Sequence, residues 1–140
     1  LKENNIKHLI RLSNDKYPTE IFTAEGIQFF DWNFADGDSP PPNYLSAWFT
    51  LLESLVPQKD STSNTEPPII AVHCAAGLGR APEFVCCALI EFGYSPEEAL
   101  AKIRQCQKNA LNKKQINFVL AYKPMKKRKL SIKDSSCIIL

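Results

Sequence analysis

The chain has 140 residues, 44% of them hydrophobic, which suits one domain with a real core. No apolar stretch approaches the length of a membrane span. Five cysteines at no paired spacing, with no secretory segment, speak against a disulfide scaffold and for a reducing compartment. The formal net charge is only +2, yet the first 121 residues carry about −3 and the remainder +5, which suggests a tail drawn to an acidic surface.

Ile6 to Leu12 reads as a strand, within which His8 is expected to be structural rather than a metal ligand. Pro18 to Glu25 predicts a short helix stopped by Gly26, and Ile27 to Phe30 a second strand. The loop that follows, Phe30-Asp31-Trp32-Asn33-Phe34-Ala35-Asp36-Gly37-Asp38, offers three carboxylates and a turn at Gly37. Trp32 and Phe34 are suited to anchor it and shield an acid. Acidic turn residues are common, so composition does not choose between a general acid and an ordinary solvated turn. Ser39 to Pro42 forms a stiff connector. Leu45, Trp48, Leu52 and Leu55 then recur at helical spacing across Tyr44 to Val56, a core stripe. Pro57 to Pro68 is polar and reads as a surface loop.

The segment His73-Cys74-Ala75-Ala76-Gly77-Leu78-Gly79-Arg80 is the most informative in the chain. The apolar run Ile69 to Val72 before it reads as a buried strand, and Pro82 with Phe84 to Ile90 behind it as a helix. A loop between a strand end and a helix start presents unpaired N–H groups and the positive end of the helix dipole to an anion. Gly77 and Gly79 allow close backbone approach, and the Arg80 fork matches two phosphate oxygens. Ala75, Ala76, Gly77, Leu78, Gly79 and Arg80 are thus the expected phosphate cradle. The same field suits a sulfur nucleophile at Cys74, whose attack on phosphorus gives a phosphocysteine. His73 is expected to orient the loop from the strand end rather than act as a base. The plain alternative is a glycine-bearing turn with an inert buried cysteine; the conjunction of strand, His-Cys, two glycines, arginine and helix start argues against it.

Cys86 and Cys87 lie in the apolar run and read as small hydrophobes, and Cys106 as structural. Ser95-Pro96-Glu97-Glu98 is a capped helix start, with Leu100 and Ile103 facing inward. Asn112 with Gln115 makes a second, leading into Ile116, Val119 and Leu120. Alternating strands and helices with the loop at a strand's carboxyl end predict an α/β fold: an open, mostly parallel sheet flanked by helices. Lys126-Lys127-Arg128-Lys129 precedes a terminal Cys137-Ile138-Ile139-Leu140, a prenylation pattern whose final leucine favours geranylgeranyl. One lipid anchors weakly, and the basic run supplies the second signal, so a membrane reading is preferred to a nucleic-acid patch.

His73 to Pro82 together with the Trp32 to Gly37 loop resembles the phosphatases of regenerating liver, prenylated members of the protein tyrosine phosphatase superfamily. The resemblance runs from about Asn5 to the C-terminus. It is carried also by Ala81-Pro82, Leu89-Ile90-Glu91, Ile103-Arg104-Gln105 and the Asn112 to Gln115 stretch. It implies a dual-specificity-phosphatase-like fold over residues 1–122 with a tail over 123–140. It further implies Cys74 as nucleophile, Arg80 as phosphate binder, Asp36 as general acid and Cys137 as the lipidated residue, with no cofactor or metal. A strand pair and most of a helix precede the matching point in that family, so the chain, which begins at Leu1, is expected to be N-terminally incomplete.

Four departures carry consequences. Ala81 stands where most of the superfamily has Ser or Thr, as it does in the resembled family, which implies slow hydrolysis of phosphocysteine. Asn33 and Ala35 replace a usual Pro and Asp of the acid loop. Ser13 occupies the place of a cysteine that forms a protective disulfide with the nucleophile. Ser136 precedes Cys137 where the family usually ends in a cysteine pair. The expected substrates are phosphotyrosine proteins or phosphoinositides, at the cytoplasmic face of the plasma membrane or endosomes. The alternative is a phosphate-gated binding module for membrane magnesium-transport mediators of the cyclin M type, with Ala35 and Lys108 departing from the family near that interface. The resemblance leaves homo-oligomerisation open. A reductase or sulfur transferase using a similar loop would need an accessible second cysteine, and Cys86 and Cys87 read as buried.

Overall fold

The computed structural model describes residues 5–55, 68–126 and the backbone of 137–139. Three strands, β1 (Ile6–Arg11), β2 (Gln28–Asp31) and β3 (Ile69–His73), alternate with helices α1 (Glu20–Ala24) and α2 (Pro42–Leu55). Then follow α3 (Arg80–Glu91), α4 (Pro96–Cys106), α5 (Lys113–Ala121) and a short β4 (Cys137–Ile139). The strands pair in parallel in the order β2-β1-β3-β4. The chain leaves β1 to one side for β2 and returns to its other side for β3. The segments that follow β1 and β3 therefore diverge from adjacent strand ends, and the crevice between them is where an open α/β sheet receives its ligand.

Burial on both faces makes the strands near-continuous apolar runs, as in Ile69-Ile70-Ala71-Val72. A small cluster of Ile6, Leu9, Ile27 and Ala71 sits on one face under Phe22 and Phe29. The larger core on the other face joins Ile10, Leu12 and Val72 to α2, α3, α4 and α5. At its centre runs α3, all twelve of whose residues are buried. Trp48 of α2 stacks on Phe84 of α3 with ring centroids 5.4 Å apart, and its indole N–H donates to the Phe84 carbonyl at 3.3 Å. Both expected capping boxes form, at Ser95–Glu98 and at Asn112–Gln115.

Several sequence expectations are corrected. Pro82 does not open α3; the helix begins at Arg80 with Gly79 as its cap. Pro82 is tolerated at the third position because the first-turn N–H groups have no intrahelical acceptor. Cys106, read as structural, is exposed, since α4 ends there, past its inward residues Ala99 and Ile103. Leu120 is 42% exposed, because Val119 is the residue of that turn aimed at the core. Leu100 is only partly buried, at the core's margin. The C-terminal Cys137–Ile139, read only as a lipidation signal, pairs as a strand on β3, opposite Ile70, Ala71 and Val72. The unpaired edge of β3 and the β-favouring isoleucines account for it. All of the Pro57 to Pro68 loop except Pro68, the Lys127-Arg128-Lys129 run, Ser136 and Leu140 lie outside the described residues.

Trp48→Ala removes a side chain that is 1% exposed together with its stacking partner contact. It should lower the unfolding free energy by about 3–5 kcal/mol in urea titration, against about 1 kcal/mol for the cap variant Ser95→Ala.

Candidate active site

The loop between β3 and α3 is held at several points. The carbonyl of His73 accepts from Leu12 N at 2.9 Å, tying the ends of β1 and β3 together. The His73 ring is fixed from outside by Tyr17, whose hydroxyl lies 2.5 Å from Nε2. Cys74 follows, 7% exposed and unpaired with another cysteine. An open apolar cleft of about 390 Å3 runs from Cys74 past Tyr17 to Phe22. Ala75 and Ala76 are exposed on the rim. Gly77 adopts φ 70°, a left-handed conformation that a side chain would strain. The Leu78 carbonyl accepts from Leu111 N at 2.7 Å, which pins the loop to the α4–α5 connection.

Arg80 joins this loop to the acidic one. Its guanidinium is almost fully buried, and Nη1 donates to the carbonyls of Leu12 at 3.0 Å and Phe34 at 2.9 Å. The Nε edge lies 3.6 Å from Asp36 Oδ1 and makes no hydrogen bond among the described residues. One edge of the fork is thus anchored and the other is left to an anion.

Tertiary pairing separates the three carboxylates that composition left equivalent. Asp31 pairs with Arg11 at 2.6 Å and Asp38 with Lys114 at 3.7 Å, so both are directed away from the loop. Asp36 alone of the three stands beside Arg80, with three quarters of its side chain exposed. Its loop is anchored as expected: Phe34 is buried, and Trp32 packs against Phe30, Tyr44 and Phe84. Asn33 is held through an amide hydrogen bond to Asn14. Ser13 is buried at the end of β1, its hydroxyl donating to Asp15 Oδ2 at 2.5 Å. Cys137 belongs to β4, and its side chain lies outside the described residues.

Sequence reasoning missed two residues. Gln115 caps α5 through Asn112, and its amide nitrogen also lies 3.0 Å from where a Cβ on Gly79 would stand. Glu83, 1% exposed on α3, accepts from that amide at 3.4 Å. Burial pushes its carboxyl up to about 8, against smaller opposing effects of Gln115 and Lys114. The readable signal was a glutamate directly after Pro82, before the apolar run Phe84 to Ile90.

No protein-family model matches the chain. It is 41% identical over all of its 140 residues to the probable protein tyrosine phosphatase type IVA A of Dictyostelium discoideum, covering 76% of that protein. It is 40% identical to the PRL-1 phosphatase of Drosophila melanogaster over 89% of this chain and 67% of that one. A solved structure of a putative protein tyrosine phosphatase from Leishmania major superposes with a TM-score of 0.77 at 36% identity, over 87% of this chain and 76% of that chain. At 22% identity, kinase associated phosphatase carrying a serine at its catalytic cysteine shares the fold, with a TM-score of 0.68 over 84% and 68% of the two chains. The fold is therefore that of the cysteine-based tyrosine and dual-specificity phosphatases. Within that class the chain belongs to the protein tyrosine phosphatase type IVA, or PRL, family.

A folded carboxyl raised from the ordinary 4.5 to about 8 binds a proton that the unfolded chain has released. Its contribution to stability is complete below about 4.5, declines as pH rises, and is gone above about 8. Glu83→Gln should remove this decline, worth on the order of a few kcal/mol. Urea unfolding of both proteins at pH 5.5, 7 and 8.5 checks it, and parallel pH dependences would contradict it.

Proposed function

We propose that the protein hydrolyses phosphomonoesters of the phosphotyrosine type through a phosphocysteine at Cys74, while tethered to an anionic membrane. The observation that carries the chemistry is Arg80, which keeps one guanidinium edge unsatisfied between the Cys74 loop and Asp36. Cys74 Sγ attacks phosphorus as the bond to the leaving oxygen breaks. The loop amides and Arg80 hold the equatorial oxygens, and Asp36 donates a proton to the departing oxygen. In the second step Asp36 accepts a proton from water as the water oxygen bonds phosphorus and the P–S bond breaks. Ala81, fully buried behind the loop, offers no hydroxyl to the leaving sulfur, so this second step limits turnover. Substrates are phosphoproteins or phosphoinositides, the two phosphoester classes that an exposed acid and an open rim admit.

Mixing reduced full-length protein with a chromogenic aryl phosphate should give a stoichiometric burst followed by slow turnover. Cys74→Ser should abolish both, and Asp36→Ala should slow the burst. Ala81→Ser should raise the steady-state rate about tenfold without changing burst amplitude, the worth of one hydrogen bond to a charged group. No burst from a folded protein would refute the catalytic reading. The site would then serve as a phosphate-gated docking surface, such as one for a cyclin M-type transport mediator.

The membrane reading rests on the tail, in which six Lys/Arg and one acid follow Tyr122 before the terminal Cys-Ile-Ile-Leu. Prenyl group and basic run act together, and the three-residue pairing of β4 is short enough to be exchanged for it. Prenylated protein should co-sediment with phosphatidylserine vesicles in a salt-sensitive manner. Cys137→Ser should lose that binding; retention at physiological salt would overturn the anchor.

A further inference from the structure

A carboxyl that the proposed chemistry does not use lies directly behind the phosphate loop. The backbone N–H of Glu83 donates to the Gly79 carbonyl at 3.0 Å, so its side chain leaves α3 one turn after the loop. That side chain is 1% exposed. Oε2 accepts from Gln115 Nε2 at 3.4 Å, while Oε1 has no partner among the described residues. The Gln115 amide is itself fixed, because its Oε1 accepts from Asn112 N at 3.0 Å. A side chain on Gly79 would meet Gln115 Nε2 at 3.0 Å and Asp36 Oδ1 at 3.5 Å. The Gln115 amide that bonds Glu83 therefore also occupies the space beside Gly79, with Asp36 Oδ1 near the same point.

We infer that Glu83 is a positioning residue for the phosphate loop: its neutral carboxyl holds the Gln115 amide against Gly79, and its ionisation sets the alkaline limit of oxyanion binding. The inference rests on Cys74 to Arg80 being a phosphate cradle. A buried negative charge one turn into α3 opposes the helix-terminal field that attracts an anion, and a neutral carboxyl leaves that field intact. Burial supports the neutral form, raising the carboxyl to about 8.

The groups that face Glu83 come from several elements. On α5, Lys114 favours the ionised form and Gln115 donates to it. On α3, burial and Glu83 itself hold Cys86 up to about 12, and burial, Glu83 and Cys86 hold Cys87 well above its ordinary value, so both thiols stay neutral. Helices α2 and α4 present apolar residues, Leu45, Trp48 and Phe49 from one and Ala99 and Ile103 from the other. Beyond Gly79 stand Asp36 and Arg80, and the end of β3 brings His73 and Cys74, all shared by wild type and Glu83 variants.

The test is calorimetric titration of the full chain with tungstate, a phosphate-shaped oxyanion, from pH 6.5 to 9.5, with aryl phosphate bursts over the same range. The rest of the site and the ligand are common to wild type and Glu83→Gln, so the ratio of their affinities isolates Glu83. Wild-type affinity should fall relative to Glu83→Gln by about tenfold across a midpoint near pH 8. Lys114→Gln, an exposed substitution that spares the core, should move that midpoint upward. Glu83→Leu should lose the alkaline transition yet bind more weakly at pH 7, because the Gln115 amide has lost its partner. A flat wild-type to Glu83→Gln ratio, with normal tungstate binding, overturns the role of Glu83 and leaves the phosphatase reading intact. Absence of tungstate binding and of a burst at every pH overturns both.

Discussion

The structure turns on one buried guanidinium. Arg80 reaches the carbonyl at the end of β1, the carbonyl of Phe34 in the acid loop, and the neighbourhood of Asp36, while its own backbone begins α3. A buried cation needs partners, and a helix N-terminus is an unfavourable place for one because the local field is already positive. Two carbonyls satisfy one nitrogen. Asp36 is too exposed to neutralise the rest. The remaining positive potential, from Arg80 and uncapped amides together, is what a tetrahedral dianion would complete. An oxyanion bound there would order the loop and stabilise the fold in proportion to the logarithm of its concentration over its dissociation constant.

That balance depends on the sheet. Strand order β2-β1-β3 brings the ends of β1 and β3 side by side while sending their following segments to opposite sides. Leu12 can then accept from Arg80 while its own N–H donates to His73 O. The acid loop follows β2, the strand next to β1, so Phe34 and Asp36 arrive on the same edge. Trp32 and Phe34 convert apolar burial into the position of that loop. A carboxylate that is itself solvated thus acquires a defined place near the arginine.

Local chemistry was legible wherever it is written in neighbouring residues. The strand into the loop, the glycines, both capping boxes and the Trp48 stripe follow from spacing and propensity. The choice among Asp31, Asp36 and Asp38 was not readable locally, because it is made by Arg11 and Lys114 arriving from β1 and α5; only the family resemblance named Asp36. Glu83 was overlooked because an acid in the first turn of a helix ordinarily faces water and complements the dipole. Here α5 covers it, and the sign of its effect is reversed. Pairing of Cys137–Ile139 with β3 was equally hidden, since the partner edge is more than sixty residues away in sequence. What the sequence lacked in each case was knowledge of which distant element closes over the residue.

Arg80 and Glu91, both buried in α3, show how one helix serves two ends of the molecule. Arg80 at its start is held at Nη1 by two carbonyls, with its Nε edge left open beside Asp36. Glu91 at its end accepts from the Tyr122 hydroxyl at 3.1 Å and from the backbone of Met125 and Lys126 at 3.0 and 3.2 Å, fixing the segment that leads into the basic tail. Lys126 is further held by Glu53 of α2 at 3.1 Å. Twelve residues at about 1.5 Å each separate these ends by about 18 Å. Because α3 follows a parallel strand and returns along it, the loop lies at the carboxyl edge of the sheet and the tail departs near the opposite edge. The start of the basic segment is thereby kept apart from the Cys74 loop and the solvated Asp36. The helix that supplies the anion-attracting field at one terminus thus sets, at the other, where the basic segment begins.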